Sequence, residues 1–208
     1  MTTTVKILSR EIHKFNYESN ETLNDLVFEL TNRIMDNPTI LTSNSSYKPK
    51  IKVFDADEYP EDFKHFLNEC ITLSLYRENI RYNNHKIILN WVNIHDRVLN
   101  LHREHTHQNS IFSGVYYYET IKNDSLTFYQ TEPVMGTIYD IMKKDSSSFF
   151  MKKEKVFVNS GDLLIFRSYY EHGVERFQLS PEENQRRISF SFNIDLEGIG
   201  SLDRLTYR

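Results

Sequence analysis

Cysteine is almost missing from this chain: Cys70 is the single thiol among 208 residues, so no internal disulfide can form and a reducing compartment is its natural setting. Long apolar runs are absent as well, and none approaches the roughly 20 residues that a membrane-crossing helix requires. The net charge of −4 argues against a surface built to neutralise nucleic-acid phosphates. Neither acidic nor basic residues gather into a long block, and there is no internal repeat. The opening Met1–Lys6 carries no charged-then-apolar signal pattern. Together these absences lead us to expect a soluble cytoplasmic protein with neither a membrane nor a nucleic acid as partner.

What is present is a core. An apolar fraction of 39%, with 13% aromatic residues, is enough for one globular domain spanning 1–208 and favours strands. Two amphipathic helices are expected in its first part. Leu23, Leu26, Val27, Leu30 and Ile34 recur at helical spacing after Asn20 or Thr22 as N-cap, with Asn37-Pro38 as the stop. Phe63, Phe66, Leu67, Cys70 and Ile71 form a second stripe after Pro60, which makes Cys70 a core residue and not a nucleophile. Val5–Leu8 reads as a short opening strand, and 42–47 as a polar loop.

From His85 the period turns from helical to alternating. Ile87–Ile94, 126–129, 155–158, 163–166 and 188–194 all read as strands, so 1–84 is a helical support region, 85–195 a barrel core and 196–208 a tail. The segment 131–153 is the exception. It is long and aperiodic, and is expected to select substrate, with Phe149, Phe150 and Met151 as an apolar contact.

The most informative junction is His105-Thr106-His107, running into the apolar stretch Ile111–Tyr118. On a strand, side chains at i and i+2 leave the same face, so both imidazoles can converge on one metal ion. His172 is the candidate third ligand, standing where the chain leaves the strand launched by the Ser160-Gly161 turn. Further on, Arg187, Ser189, Ser191 and Asn193 share one face of a strand, while Ile188, Phe190, Phe192 and Ile194 share the other. Taken singly, each of these features has an ordinary structural explanation; their fixed order does not. His13, His65, His85 and His95 lack such company and read as surface or satisfied core residues.

In that order (His-x-His, Ser-Gly-Val-Tyr-Tyr, Gly-Asp-Leu-Leu-Ile-Phe, His-x-Val, Arg-Ile-Ser-x-Ser-Phe-Asn-Ile) the chain resembles the 2-oxoglutarate/Fe(II) oxygenases frequent in phages and marine bacteria, over about Ile88 to Ile194. The resemblance implies a mainly β protein with flanking α, a double-stranded β-helix or jelly roll of the cupin and prolyl-hydroxylase kind, supported by the two N-terminal helices. It also implies Fe(II), 2-oxoglutarate as small-molecule co-substrate, and hydroxylation of a peptidyl or amino-acid side chain. The metal ligands would be His105, His107 and His172. Arg187 would bind the far carboxylate of 2-oxoglutarate, for which a planar, permanently charged guanidinium is suited, and Ser189 and Tyr117 would add hydrogen bonds.

One position departs from the pattern. Most of the superfamily has a carboxylate where this chain has His107. His102-Arg103-Glu104 offers an alternative His-x-Glu pair, which would slide the site by one register. A cupin-like metal protein without 2-oxoglutarate chemistry, or a non-catalytic jelly-roll binding module, are the other readings.

Overall fold

A computed structural model describes residues 3–7, 10–35, 55–95, 102–131, 151–175 and 186–197. The 42–47 loop, the Asn37-Pro38 stop, most of 131–153 with Phe149 and Phe150, and the tail beyond 197 lie outside these residues. Among the described residues ten strands form two antiparallel sheets. They are β1 (Thr3–Ile7), β2 (Arg10–Asn16), β3 (Asn84–His95), β4 (His102–His105), β5 (Phe112–Glu119), β6 (Ser125–Thr131), β7 (Met151–Phe157), β8 (Asp162–Arg167), β9 (His172–Val174) and β10 (Arg187–Glu197). The larger sheet has the order β1-β2-β8-β5-β10-β3 and the smaller β4-β9-β6-β7. Two helices, α1 (Glu21–Met35) and α2 (Glu61–Arg77), accompany them. The protein is thus mainly β with flanking α.

Both helices form where the apolar periodicity expects them. Asn20 caps α1, its Oδ1 accepting from the Leu23 amide at 3.0 Å, and Leu23, Leu26, Val27 and Leu30 are buried. Pro60 precedes α2, and Cys70 lies buried in its stripe, with burial pushing the thiol up to about 12. The region before residue 84 is not helical support alone, because β2 sits inside the larger sheet, paired with both β1 and β8. Its sequence, Arg10–Asn16, alternates too weakly with charged residues to announce a strand.

The two-residue period of the strands sorts side chains into two compartments. Phe112 and Tyr116 of β5, Leu163 and Ile165 of β8, and Ile188, Phe190, Phe192 and Ile194 of β10 pack against the helices. Val115, Tyr117, Leu164 and Phe166 point the other way, between the sheets, where they meet Leu126, Phe128 and Val174. Each fully buried Phe or Ile contributes on the order of 1.5–3 kcal/mol. Both faces of β10 are therefore buried: the polar face looks into the space between the sheets and not into solvent.

Gly114 is required by this packing. It pairs directly with Phe192, and a Cβ at residue 114 would lie 2.2 Å from the Phe192 ring, which is itself fully buried. Gly114→Ala should cost about 1–3 kcal/mol through overpacking. Urea unfolding checks this: a midpoint equal to that of the wild type would show that the ring is free to move.

Candidate functional site

The space between the sheets is a cavity lined among others by His95, His102, His105, His107, His172, Arg187 and Ser189. His105, His107 and His172 lie at one part of it, each offering a nitrogen, and the three nitrogens fall within 4.8 Å of one another. Their ring centroids are 4.9 Å (105–107), 4.5 Å (105–172) and 5.2 Å (107–172) apart.

Local backbone features bring them there. His105 pairs across the sheet with His172, whereas His102 pairs with Val174, so three steps on β4 match two on β9. That bulge places His102 and His105 on one face and leaves Arg103 and Glu104 exposed. Glu104 therefore does not join the three-histidine group. Gly173 faces the bulge, and a Cβ there would approach the His102 carbonyl oxygen to 2.8 Å. His107 lies beyond the strand, where its amide donates to the Ser168 carbonyl at 2.9 Å, tying it to the turn before His172. The Ser168 hydroxyl in turn meets Ser110 at 2.7 Å and Ser113 at 2.9 Å.

The histidine environment suits a metal. The Nδ1 atoms of His105 and His172 lie 2.9 Å and 2.8 Å from the carbonyls of Arg103 and Tyr170. A carbonyl only accepts, so Nδ1 carries the proton in both rings and Nε2 presents its lone pair. Burial pushes His107 down to about 4 and His172 well below the ordinary imidazole value. Both are neutral donors at working pH. Phe166 stands edge-on to His172 at 4.7 Å and Phe128 lies 6.1 Å away, so the wall behind this ring is apolar.

Elsewhere in the cavity lies Arg187, only 1% exposed. Both carboxylate oxygens of Asp124 are 2.9 Å from its Nε. Its Nη1 makes only long contacts of 3.4 Å to Ser189 Oγ and His95 Nδ1, and its Nη2 has no hydrogen-bond partner among the described residues. The Tyr117 ring lies 5.0 Å from the guanidinium carbon, and its buried Oη also lacks a partner there. Tyr117 thus meets Arg187 through its ring face.

His95 does have company, contrary to expectation. It is fully buried beside Arg187, and burial with the neighbouring guanidinium pushes it down to about 2. Its strand, β3, pairs His95 with Arg187 directly. His102 stacks on His105 at 4.5 Å and 14°, and burial lowers it to about 4. Asp124 was beyond sequence reasoning because Lys122-Asn123-Asp124 reads as an ordinary hairpin turn. Of the other histidines, His13 is a core residue 3.4 Å from Glu78, and His65 is exposed beside Glu69.

Beside the cavity, sharing Trp91, His102, His105 and His107 as lining, lies an outer basin bordered also by Ile88, Gln108 and Asn109. Trp91 lies 5.4 Å from the His107 ring.

Two antiparallel sheets enclosing a histidine-lined cavity define a metal-binding jelly roll. Residues 90–193, half of the chain, match the family model for 2OG-Fe(II) oxygenases, and the chain belongs to that family. It is accordingly an oxygenase that uses Fe(II) and 2-oxoglutarate. The fold is similar to that of HygX from Streptomyces hygroscopicus, solved with nickel and 2-oxoglutarate bound: 14% identity, TM-score 0.53, covering 91% of this chain and 84% of that one. It is also similar to a Pseudomonas putida prolyl-4-hydroxylase (13%, TM-score 0.50, covering 91% and 90%). A third similar structure is the α-ketoglutarate-dependent epimerase SnoN from nogalamycin biosynthesis (10%, TM-score 0.50, covering 92% and 83%). No curated protein resembles the chain closely enough in sequence to count as a relative. No helix among the described residues is long and apolar enough to cross a membrane.

Proposed function

We propose that His105, His107 and His172 hold Fe(II), that Arg187 with Ser189 and Tyr117 receives the distal carboxylate of 2-oxoglutarate, and that the enzyme hydroxylates a peptidyl or amino-acid substrate presented at the outer basin. One domain carries the whole reaction. The observation that carries this reading is a single cavity holding three convergent imidazoles together with a buried guanidinium whose terminal nitrogens lack close partners. The fit to Fe(II) rests on the donor set: imidazoles with their tautomers fixed by backbone carbonyls suit a first-row dication.

Bound there, Fe(II) and 2-oxoglutarate would supply, with dioxygen as oxidant, decarboxylation of 2-oxoglutarate to succinate and carbon dioxide, one oxygen atom entering succinate and the other a C–H bond of the substrate. The protein's part is geometry and exclusion. The Arg103 and Tyr170 carbonyls orient two ligands. Arg187 offers the co-substrate a planar pair of N–H donors. Phe128 and Phe166 keep water from the inner side of His172. Trp91 walls the outer basin beside His107, where the substrate's C–H bond would be presented. Hydroxylation as the outcome is supported by the fold shared with a prolyl-4-hydroxylase.

Anaerobic addition of Fe(II) and then 2-oxoglutarate should produce the visible charge-transfer band of the chelate. A folded protein giving no band would remove this proposal.

A further inference from the structure

The ligand face contains three imidazoles and no carboxylate, while a buried carboxylate, Asp124, sits on the co-substrate arginine. Asp124 is 3% exposed and its position is fixed by a tight turn between β5 and β6. Asn123 adopts a left-handed φ of 60°, the Asp124 amide donates to the Ile121 carbonyl at 3.2 Å, and the Asp124 carbonyl accepts from the Val158 amide at 3.0 Å. The carboxylate is therefore placed by backbone that does not depend on Arg187.

The manner of pairing is informative. A carboxylate serving only to neutralise a buried guanidinium has a favourable partner in two parallel N–H groups, the fork-to-fork arrangement. Here both oxygens converge on Nε instead. The Nη1–Nη2 edge is left with long contacts on one nitrogen and no hydrogen-bond partner among the described residues on the other. The Tyr117 ring beneath the guanidinium and His95 beside Nη1 confine it further.

We infer that Asp124 is a positioning residue for the co-substrate: by holding Arg187 through Nε it aims the terminal guanidinium edge at the distal carboxylate of 2-oxoglutarate. This rests on the reading of Arg187 under Proposed function. It also balances the cavity. The pair is internally neutral, so the two negative charges of 2-oxoglutarate match the two positive charges of iron without help from a carboxylate ligand.

Two variants separate placement from charge. Asp124→Glu keeps the charge but moves the carboxylate outward by one methylene; Asp124→Asn keeps an acceptor for Nε without the charge. Binding is read anaerobically with Fe(II) from the chelate band, using 2-oxoglutarate and 2-oxopentanoate, in which a methyl group replaces the distal carboxylate. Thermal unfolding confirms that each variant is folded.

Asp124→Glu should weaken 2-oxoglutarate by about tenfold, one charge-assisted hydrogen bond, and leave 2-oxopentanoate unchanged. Asp124→Asn should bind 2-oxoglutarate at least as tightly as the wild type. Wild-type affinity in Asp124→Glu, equal weakening of both oxo acids, or an equal loss in the two variants would overturn the inference alone. A wild type that does not distinguish the two oxo acids would overturn the reading of Arg187 and this inference with it.

Discussion

His172→Ala should abolish stoichiometric Fe(II) binding and, with it, turnover of 2-oxoglutarate. Losing an orienting group around a metal costs roughly 10–100-fold, and losing one of three ligands should exceed that. His172 is the right position to test because it is buried, lies between the other two histidines and Phe166, and already has its Nδ1 engaged by the Tyr170 carbonyl. Its Nε2 has no structural duty among the described residues, so loss of metal separates from loss of fold. Metal analysis after chelation and reloading, with thermal unfolding as control, provides the measurement. His107→Ala, at a half-buried position outside any strand, gives the same test with less disturbance of the core. Full iron occupancy in both folded variants would sink the assignment.

The second large effect belongs to Arg187 and has two parts. Arg187→Lys keeps a positive charge but cannot give one nitrogen to Asp124 and a planar pair to a co-substrate at once. The apparent KM for 2-oxoglutarate should rise by about 10–100-fold, matching the roughly 1.5–3 kcal/mol of a charge-assisted hydrogen bond. Arg187→Met goes further, leaving Asp124 buried without its countercharge and with only the Ser125 and Ile121 backbone as partners, which should cost about 3–5 kcal/mol of stability. The sign of its pH dependence follows from the cause. Burial raises the Asp124 carboxyl and Arg187 opposes that rise; without Arg187 it climbs further. A carboxyl whose folded pKa lies above its unfolded one binds its proton more tightly in the native state. Stability is then greatest below the unfolded value and falls as pH rises toward the folded one. Urea unfolding should show a smaller deficit for Arg187→Met at pH 5 than at pH 8, and a deficit independent of pH would contradict the isolation of Asp124.

Much of this arrangement is written locally. The helical stripes of α1 and α2 and the alternation of β10 can be read directly, because period alone decides which side of an element is apolar. The proximity of His105 and His107 is likewise local, and His172 follows from its place at the end of an apolar strand. Non-local pairings are what escape. His95 looked solitary because its neighbour, Arg187, is reached only through the β3–β10 register. Asp124 looked like turn material because the charge it meets is 63 residues away. The orientation of His102 and Glu104 depends on a bulge set against β9, and a short polar stretch carries no sign of that. β2 was hidden for a related reason: a strand deep in a sheet can keep charged residues when their ends find partners, as Lys14 does with Asp162.

The strand from Arg187 to Glu197 has a consequence for how such an enzyme can change. Its even-numbered apolar residues face the helices, while Arg187, Ser189, Ser191 and Asn193 line the cavity and the basin beside it. A substitution at Ser191 or Asn193 alters the chemical lining without removing a methyl group from the helix-facing layer. New reactivity can therefore be sampled one residue at a time on one side of a ribbon while the opposite side keeps the molecule folded.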